Sequence, residues 1–153
     1  MRDAFRTKTL LLLLIGALLA STARAGELAK DLRDQLASSP FVYISSTRKD
    51  GTLSRPAEIW FLWHDGSVYV ASPPTTWRVR RIRAGRSDAK IWIGKPDGPS
   101  FTATGAVVDE PKVHPILCET FARKYPERWK SWERDFRGGL ADGSRVLVRY
   151  TPK

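Results

Sequence analysis

The sequence predicts an α+β domain: six antiparallel strands in a small barrel or sandwich, with a few helices around it. Three observations carry that expectation. Asp-Gly occurs four times, at 50–51, 65–66, 97–98 and 142–143, and both residues tolerate the positive φ that tight turns require. Six short segments rich in β-branched and aromatic residues lie among these breaks, and strands joined by such short turns pair antiparallel. A length of 153 residues with 42% hydrophobic content suits one packed domain and argues against a disordered basic tail.

The first 25 residues read as an address. Arg2, Arg6 and Lys8 precede an apolar run from Leu10 to Ala20, and Ala23-Arg24-Ala25 ends in the small-x-small pattern of signal peptidase. The run falls short of the ~20 residues of a membrane-spanning helix. A Sec-type signal cleaved after Ala25 is therefore expected, with export to the periplasm; a retained N-terminal anchor is the alternative. No Arg-Arg pair precedes the run, so a twin-arginine signal is not supported. The segment carries four basic side chains and one acidic one, so the remainder stays basic without it. That remainder has no second apolar run of membrane length, and no membrane association is expected after cleavage.

Residues 26–39 predict an amphipathic helix, with Leu28, Leu32 and Leu36 four residues apart and Pro40 ending it. A single domain should then occupy residues 40–153. Its predicted strands are Phe41–Ser46, Leu53–Trp63, Ser67–Ala71, Ala89–Gly94, Phe101–Val108 and Arg145–Thr151. Helices are predicted over Thr76–Ala84, with Val79 and Ile82 on one face, and over Pro115–Tyr125, where proline suits a first turn. A third, Glu127–Phe136, places Trp129, Trp132 and Phe136 on one side and should stop at Gly138-Gly139.

Composition narrows the chemistry. One cysteine cannot form an internal disulfide, and two histidines with one cysteine do not make a dedicated zinc site. Cys118 sits in a helical pattern beside Leu117 and Phe121 and should be buried. His64 reads as an exposed turn residue, His114 as a helix-start residue, and Asp109 and Glu110 as capping groups. The aromatic stripe of Trp129, Trp132 and Phe136 reads as core or subunit contact, with a ligand cleft as the alternative. Glu119, Glu127 and Glu133, interspersed with Lys and Arg, read as a solvated face.

The informative segment is Ser72 to Arg83. A strand runs into a Pro-rich turn, two hydroxyls and a helix whose opening is basic. Helix starts offer unpaired N–H groups, Thr75 and Thr76 offer hydroxyls, and Arg78 can grip a phosphate with two parallel bonds. At about 100° per residue, Val79 and Ile82 define the inward face, Arg78 and Arg83 flank it, and Arg80 and Arg81 point outward. A solvated basic helix without ligand is the plain alternative.

The order of these parts resembles a known family. A strand, an Asp-Gly turn, Arg55-Pro56-Ala57-Glu58-Ile59-Trp60-Phe61-Leu62-Trp63, a second Asp-Gly turn, Val68-Tyr69-Val70-Ala71, a hydroxyl-rich turn and Arg78-Val79-Arg80-Arg81-Ile82 follow one another. This is similar to the pyridoxamine 5′-phosphate oxidase-like split barrels, the superfamily of FMN- and deazaflavin-dependent reductases. The likeness spans about Phe41–Pro152, including the later Phe121-Ala122-Arg123-Lys124-Tyr125-Pro126. It implies a six-stranded split β-barrel and a homodimer with cofactor clefts at the subunit interface. It further implies a cofactor phosphate on Thr75, Thr76 and Arg78, a flavin ring along Arg55, Ala57, Glu58 and Ile59, and Ser72 as an additional contact. FMN is the implied cofactor, with a deazaflavin or haem as alternatives.

The resulting expectation is an exported flavoprotein that passes hydride between flavin and a small-molecule substrate, chemistry that the cofactor itself carries. No catalytic side chain is assigned. One alternative is a split barrel that holds flavin or haem without turnover. The other is a basic protein that binds nucleic acid or an anionic surface through Arg78–Arg86. Export, and the lack of aromatics interleaved with the basic residues, argue against a nucleic-acid partner.

Overall fold

A computed structural model describes Glu27–Lys153; the expected signal, residues 1–25, lies outside the described residues. The elements follow in the order α1 (Lys30–Ser38), β1 (Val42–Ser46), β2 (Ala57–Ile59), β3 (Leu62–His64), β4 (Ser67–Ser72), α2 (Trp77–Arg83) and β5 (Asp88–Ile93). Then come β6 (Ser100–Val108), α3 (Val113–Lys124), α4 (Pro126–Asp142) and β7 (Val146–Pro152). All seven strands form one antiparallel sheet in the order β2-β1-β5-β6-β7-β4-β3.

That order forces the sheet to curl. Its two edges, β2 and β3, are consecutive in sequence and separated only by Trp60 and Phe61. The three Cα steps from Ile59 to Leu62 reach at most ~11 Å, so the edges must come together and the right-handed twist of the strands closes on itself. The single strand expected over Leu53–Trp63 is thus two strands on opposite sides of a seam, which raises the count from six to seven. At the seam Phe61 is fully buried inside, while Trp60 turns outward and stacks on Tyr125 at 4.1 Å between ring centroids.

The alternation of each strand sorts its side chains between two cores. Val42, Ile44, Val68, Val70, Ile91, Val148 and Tyr150 fill the barrel interior. Tyr69, Ala71 and Leu147 face outward, where Leu117, Phe121, Trp129 and Phe136 of α3 and α4 cover them. Leu28 and Leu36 close the end where β1 begins. At the opposite end α2 inserts Val79, and Arg81 donates to the Ser46 hydroxyl at 2.7 Å, at the last residue of β1. Arg81 is therefore turned toward the barrel and Arg83 is exposed, the reverse of their expected places. The tertiary hydrogen bond to Ser46 wins over simple helical projection.

Turn chemistry follows the sequence with one exception. Asp65 and Gly66, with φ of 46° and 71°, make the two-residue hairpin between β3 and β4. Asp142-Gly143 instead ends α4, with Gly143 at φ 83° in the left-handed cap position. The helix consequently runs through Gly138 and Gly139. Gly139 is buried at a close approach: a Cβ there would lie 2.9 Å from the Arg145 side chain. Glu110 does not cap α3. It accepts from Tyr69 Oη at 2.8 Å and pairs with Arg149 on the outer face.

The seam has its own pin. The Lys124 ammonium donates to the Phe61 carbonyl at 3.1 Å and lies 3.5 Å from the centre of that ring. Burial lowers its pKa to about 8. The folded chain therefore holds fewer protons here than the unfolded one between about pH 8 and 10.5, so this group makes stability rise with pH across that window. Denaturant titrations should show the wild type gaining stability relative to Lys124→Met from pH 8 to 10; parallel profiles would refute the burial of the charge. A second test concerns Gly105, where a Cβ would lie 2.8 Å from the Tyr150 ring and 2.9 Å from Ile82. Gly105→Ala should cost about 1–3 kcal/mol by overpacking, read from the denaturation midpoint.

Candidate functional site

The end of the barrel closed by α2 carries the candidate site, and its geometry follows from one anchor. Val79 is held in the core, so its neighbour Arg78 must lie where β4 hands over to α2. The Arg78 guanidinium donates to the buried Ser72 hydroxyl at 3.2 Å. It has no ion-pair partner among the described residues, and burial lowers its pKa, with Tyr150 opposing that shift. The Tyr150 hydroxyl is itself buried without a hydrogen-bond partner, and burial raises its pKa. A half-buried cation with one neutral partner, near an unpaired hydroxyl, is a costly arrangement that an anion would relieve.

Two clefts meet at Arg78 and share Thr76. The first, about 480 Å3, is lined by Arg48, Arg55, Arg78 and Arg81, with Ser46, Ser54, Thr76, Ile44, Ala57 and Trp77. Four guanidiniums stand there without a carboxylate, a donor set suited to phosphate oxygens; of the three hydroxyls, Ser54 and Thr76 donate to the Arg55 and Pro73 carbonyls, and Ser46 accepts from Arg81. The second, about 350 Å3, runs between Glu58, Ile59 and Trp60 on one side and Arg128, Trp132 and Phe136 of α4 on the other. Ser72, Pro73, Arg78 and Arg145 complete it. Both volumes fall among those of ligand clefts, roughly 300–1,000 Å3.

The eight residues singled out from sequence are distributed over this surface. Arg55 and Ala57 line the first cleft, Glu58, Ile59 and Ser72 the second, and Thr76 and Arg78 both. Thr75 is exposed and lines neither; the Thr76 hydroxyl donates to the Pro73 carbonyl at 2.9 Å. Glu58 accepts from Tyr43 Oη at 2.6 Å across the β1–β2 ladder. Trp77 lines the first cleft and is 66% exposed, with Arg80 and Arg81 guanidiniums 5.5 and 5.6 Å from its ring centre. Pro74 lines neither cleft.

Arg48, Arg81, Arg128 and Arg145 are lining residues that sequence reasoning did not reach, whereas Trp132 and Phe136 belong to the aromatic stripe whose alternative reading is a ligand cleft. Of the four arginines only Arg81 had a local signal, and the others arrive from distant strands and helices. His64 lines neither cleft, His114 lines a separate one beside Val107 and Leu140, and Cys118 is buried between α3 and its neighbours. Among the described residues no three His, Cys, Asp or Glu side chains gather as metal ligands, and no helix is long and apolar enough to cross a membrane.

The unpaired Tyr150 hydroxyl yields a direct test. Tyr150→Phe should leave stability unchanged or raise it by up to ~1 kcal/mol, because it removes a buried donor that has no partner. A loss larger than that in denaturant titration would reveal a bond the hydroxyl makes.

No protein-family model matches the chain, and no curated protein matches its sequence. Solved structures do match it in fold. A conserved hypothetical protein from Mycobacterium tuberculosis superposes with a TM-score of 0.63 at 16% identity, over 85% of this chain and 84% of that one. A candidate pyridoxamine 5′-phosphate oxidase from Listeria innocua gives 0.59 at 13%, over 80% and 91%. HutZ, the haem-storage protein of Vibrio cholerae, gives 0.52 at 11%, over 83% and 91%. At these identities the likeness is one of architecture: the chain has the curled antiparallel split-barrel fold of pyridoxamine 5′-phosphate oxidase-like proteins.

Proposed function

We propose that this chain is an exported, dimeric flavoprotein oxidoreductase that holds FMN or a deazaflavin at the α2 end of its barrel. The observation that carries the reading is the Arg78 guanidinium, half-buried beside Ser72 and Tyr150 and without an ion-pair partner among the described residues. A phosphate there supplies the missing countercharge, and the other guanidiniums of the first cleft, with the Ser46 hydroxyl, offer donors for its remaining oxygens.

When bound, a flavin supplies hydride transfer between itself and a small-molecule substrate. The chain's own residues have other work. Arg55, Arg78 and Arg81 neutralise the anionic end, and Ala57 leaves the adjoining wall of β2 low enough for a flat ring to approach. Ile59 and Trp60 give the neighbouring cleft an apolar side that excludes water. None of these roles needs an acid, a base or a metal.

Flavin is favoured over haem because the first cleft offers guanidiniums that would hold a phosphate, while neither histidine lines either cleft of the subunit. Dimerisation is part of the proposal on a specific ground. The outer edge of β2 and exposed Ala57 and Glu58 border both clefts, so a second subunit set against that edge would wall them. The signal-like residues 1–25 support export.

Titrating FMN into Arg78→Ala and Arg80→Ala tests the proposal. Arg80 is exposed and lines neither cleft. Loss of Arg78 should weaken binding about 10- to 100-fold, the worth of a charge-assisted hydrogen bond at a buried site, while Arg80→Ala stays near wild type. Equal affinities would overturn the placement. Substrate-dependent bleaching of the flavin band would then separate turnover from storage.

A further inference from the structure

The second cleft has a chemistry of its own. Three guanidiniums, from Arg78, Arg128 and Arg145, face a single carboxylate, Glu58. That carboxylate is already engaged by the Tyr43 hydroxyl. Arg145 is drawn over aromatic rings rather than into solvent: its guanidinium lies 4.2 Å from the Phe136 ring centre and 5.8 Å from that of Trp132. Its one hydrogen bond is a long one, 3.5 Å, to the Ala71 carbonyl, and it makes no ion pair among the described residues. The positive end of the cleft is thus held in place by contacts that leave its donors free.

The aromatic wall is equally selective. Trp60 is sandwiched, with Tyr125 at 4.1 Å and Phe136 at 5.8 Å in near-parallel stacks. Trp132 is different. It meets Phe136 edge-on at 6.5 Å and stays 44% exposed at the cleft margin. An indole left unstacked beside a fixed guanidinium offers a platform for a flat ring and a fork for its anionic group.

We infer that this cleft binds a planar aromatic carboxylate as the substrate of the oxidoreductase proposed above. The substrate role rests on that reading; the binding site does not. A carboxylate is favoured over a phosphate because Glu58 offsets one of the three guanidiniums here, whereas the other cleft holds four guanidiniums and no carboxylate. Of the two hydroxyls here, Ser72 accepts from Arg78 and Thr76 donates to the Pro73 carbonyl. A flat two-oxygen anion that pairs with one guanidinium needs neither. Arg145 would set the specificity for charge, and Trp132 the specificity for a flat ring.

The probes are 2-naphthoate and its uncharged analogue 2-naphthylmethanol, titrated by calorimetry into the full mature chain with and without saturating FMN. Circular dichroism checks that each variant is folded. Naphthoate should bind at least about tenfold more tightly than the alcohol, and Arg145→Gln should erase that preference. Trp132→Ala should weaken both probes. Arg55→Gln, in the other cleft, should weaken FMN but leave naphthoate unchanged. Equal affinity for the two probes, indifference to Arg145→Gln, or displacement of naphthoate by FMN would each overturn the inference. A wild-type chain that takes naphthoate but no FMN supports the site and sinks only the cofactor reading. FMN binding without naphthoate binding does the opposite.

Discussion

The two-residue step between β2 and β3 governs the architecture. Because Trp60 and Phe61 alone connect the opposite edges of a seven-stranded sheet, the sheet has no freedom to stay open. Adjacent side chains of an extended segment point to opposite faces, so the same step sends Phe61 into one core and Trp60 into the other. The cost is a break in the ladder at the Phe61 carbonyl, which Lys124 meets from α3. Closure also brings the outer edge of β2 beside the far end of β4. Glu58 and Ile59 thereby face Ser72 and Arg78 across a cleft that no stretch of local sequence contains.

Arg78 is the energetic consequence of how the barrel end is filled. α2 has only seven residues, and Val79 is its fully buried member. With Val79 fixed, helical spacing leaves little choice for its neighbours: Arg78 reaches Ser72 and Arg81, three residues on, reaches Ser46. A surface arginine would keep its water. This one, half-buried, trades part of it for one hydroxyl and the vicinity of Tyr150, whose own hydroxyl stays unpaired. Net stability alone gives no reason to retain such a group, since well-packed apolar residues often serve a core better. Affinity for an anion does.

The strands were legible because alternation and Asp-Gly turns are local signals, and each predicted segment falls within a residue or two of an observed strand except at the seam. Leu53–Trp63 reads as one strand because nothing in Trp60-Phe61 announces that its two halves belong to opposite sheet edges. Gly138-Gly139 reads as a helix stop because glycine is flexible, whereas the structure uses the missing Cβ of Gly139 for close packing against Arg145. The stop lies four residues later, at Gly143. Within the site, Ser72, Thr76 and Arg78 sit on one strand–helix junction and could be picked out together. Trp132 showed in the sequence as part of an aromatic stripe, but Arg48, Arg128 and Arg145 come from a loop, a helix and the residue before a strand, far apart in sequence, and only tertiary folding assembles them.

The partition of chemistry between the two clefts follows from which elements wall them. β1, its loop and α2 supply arginines and hydroxyls with little aromatic surface, so that side favours a compact, highly charged group with many oxygens. α4 supplies Trp132 and Phe136, and its packing on the outer core fixes them before any ligand arrives, so that side favours flat apolar surface with one charged end. Arg78 belongs to both walls. A negative charge held on one side therefore lowers the potential felt on the other, and two anions placed there repel across a shared guanidinium. A ligand whose charge lies in the first cleft and whose uncharged ring extends toward β2 avoids that penalty. A second ligand can then use Arg128 and Arg145 for its own countercharge.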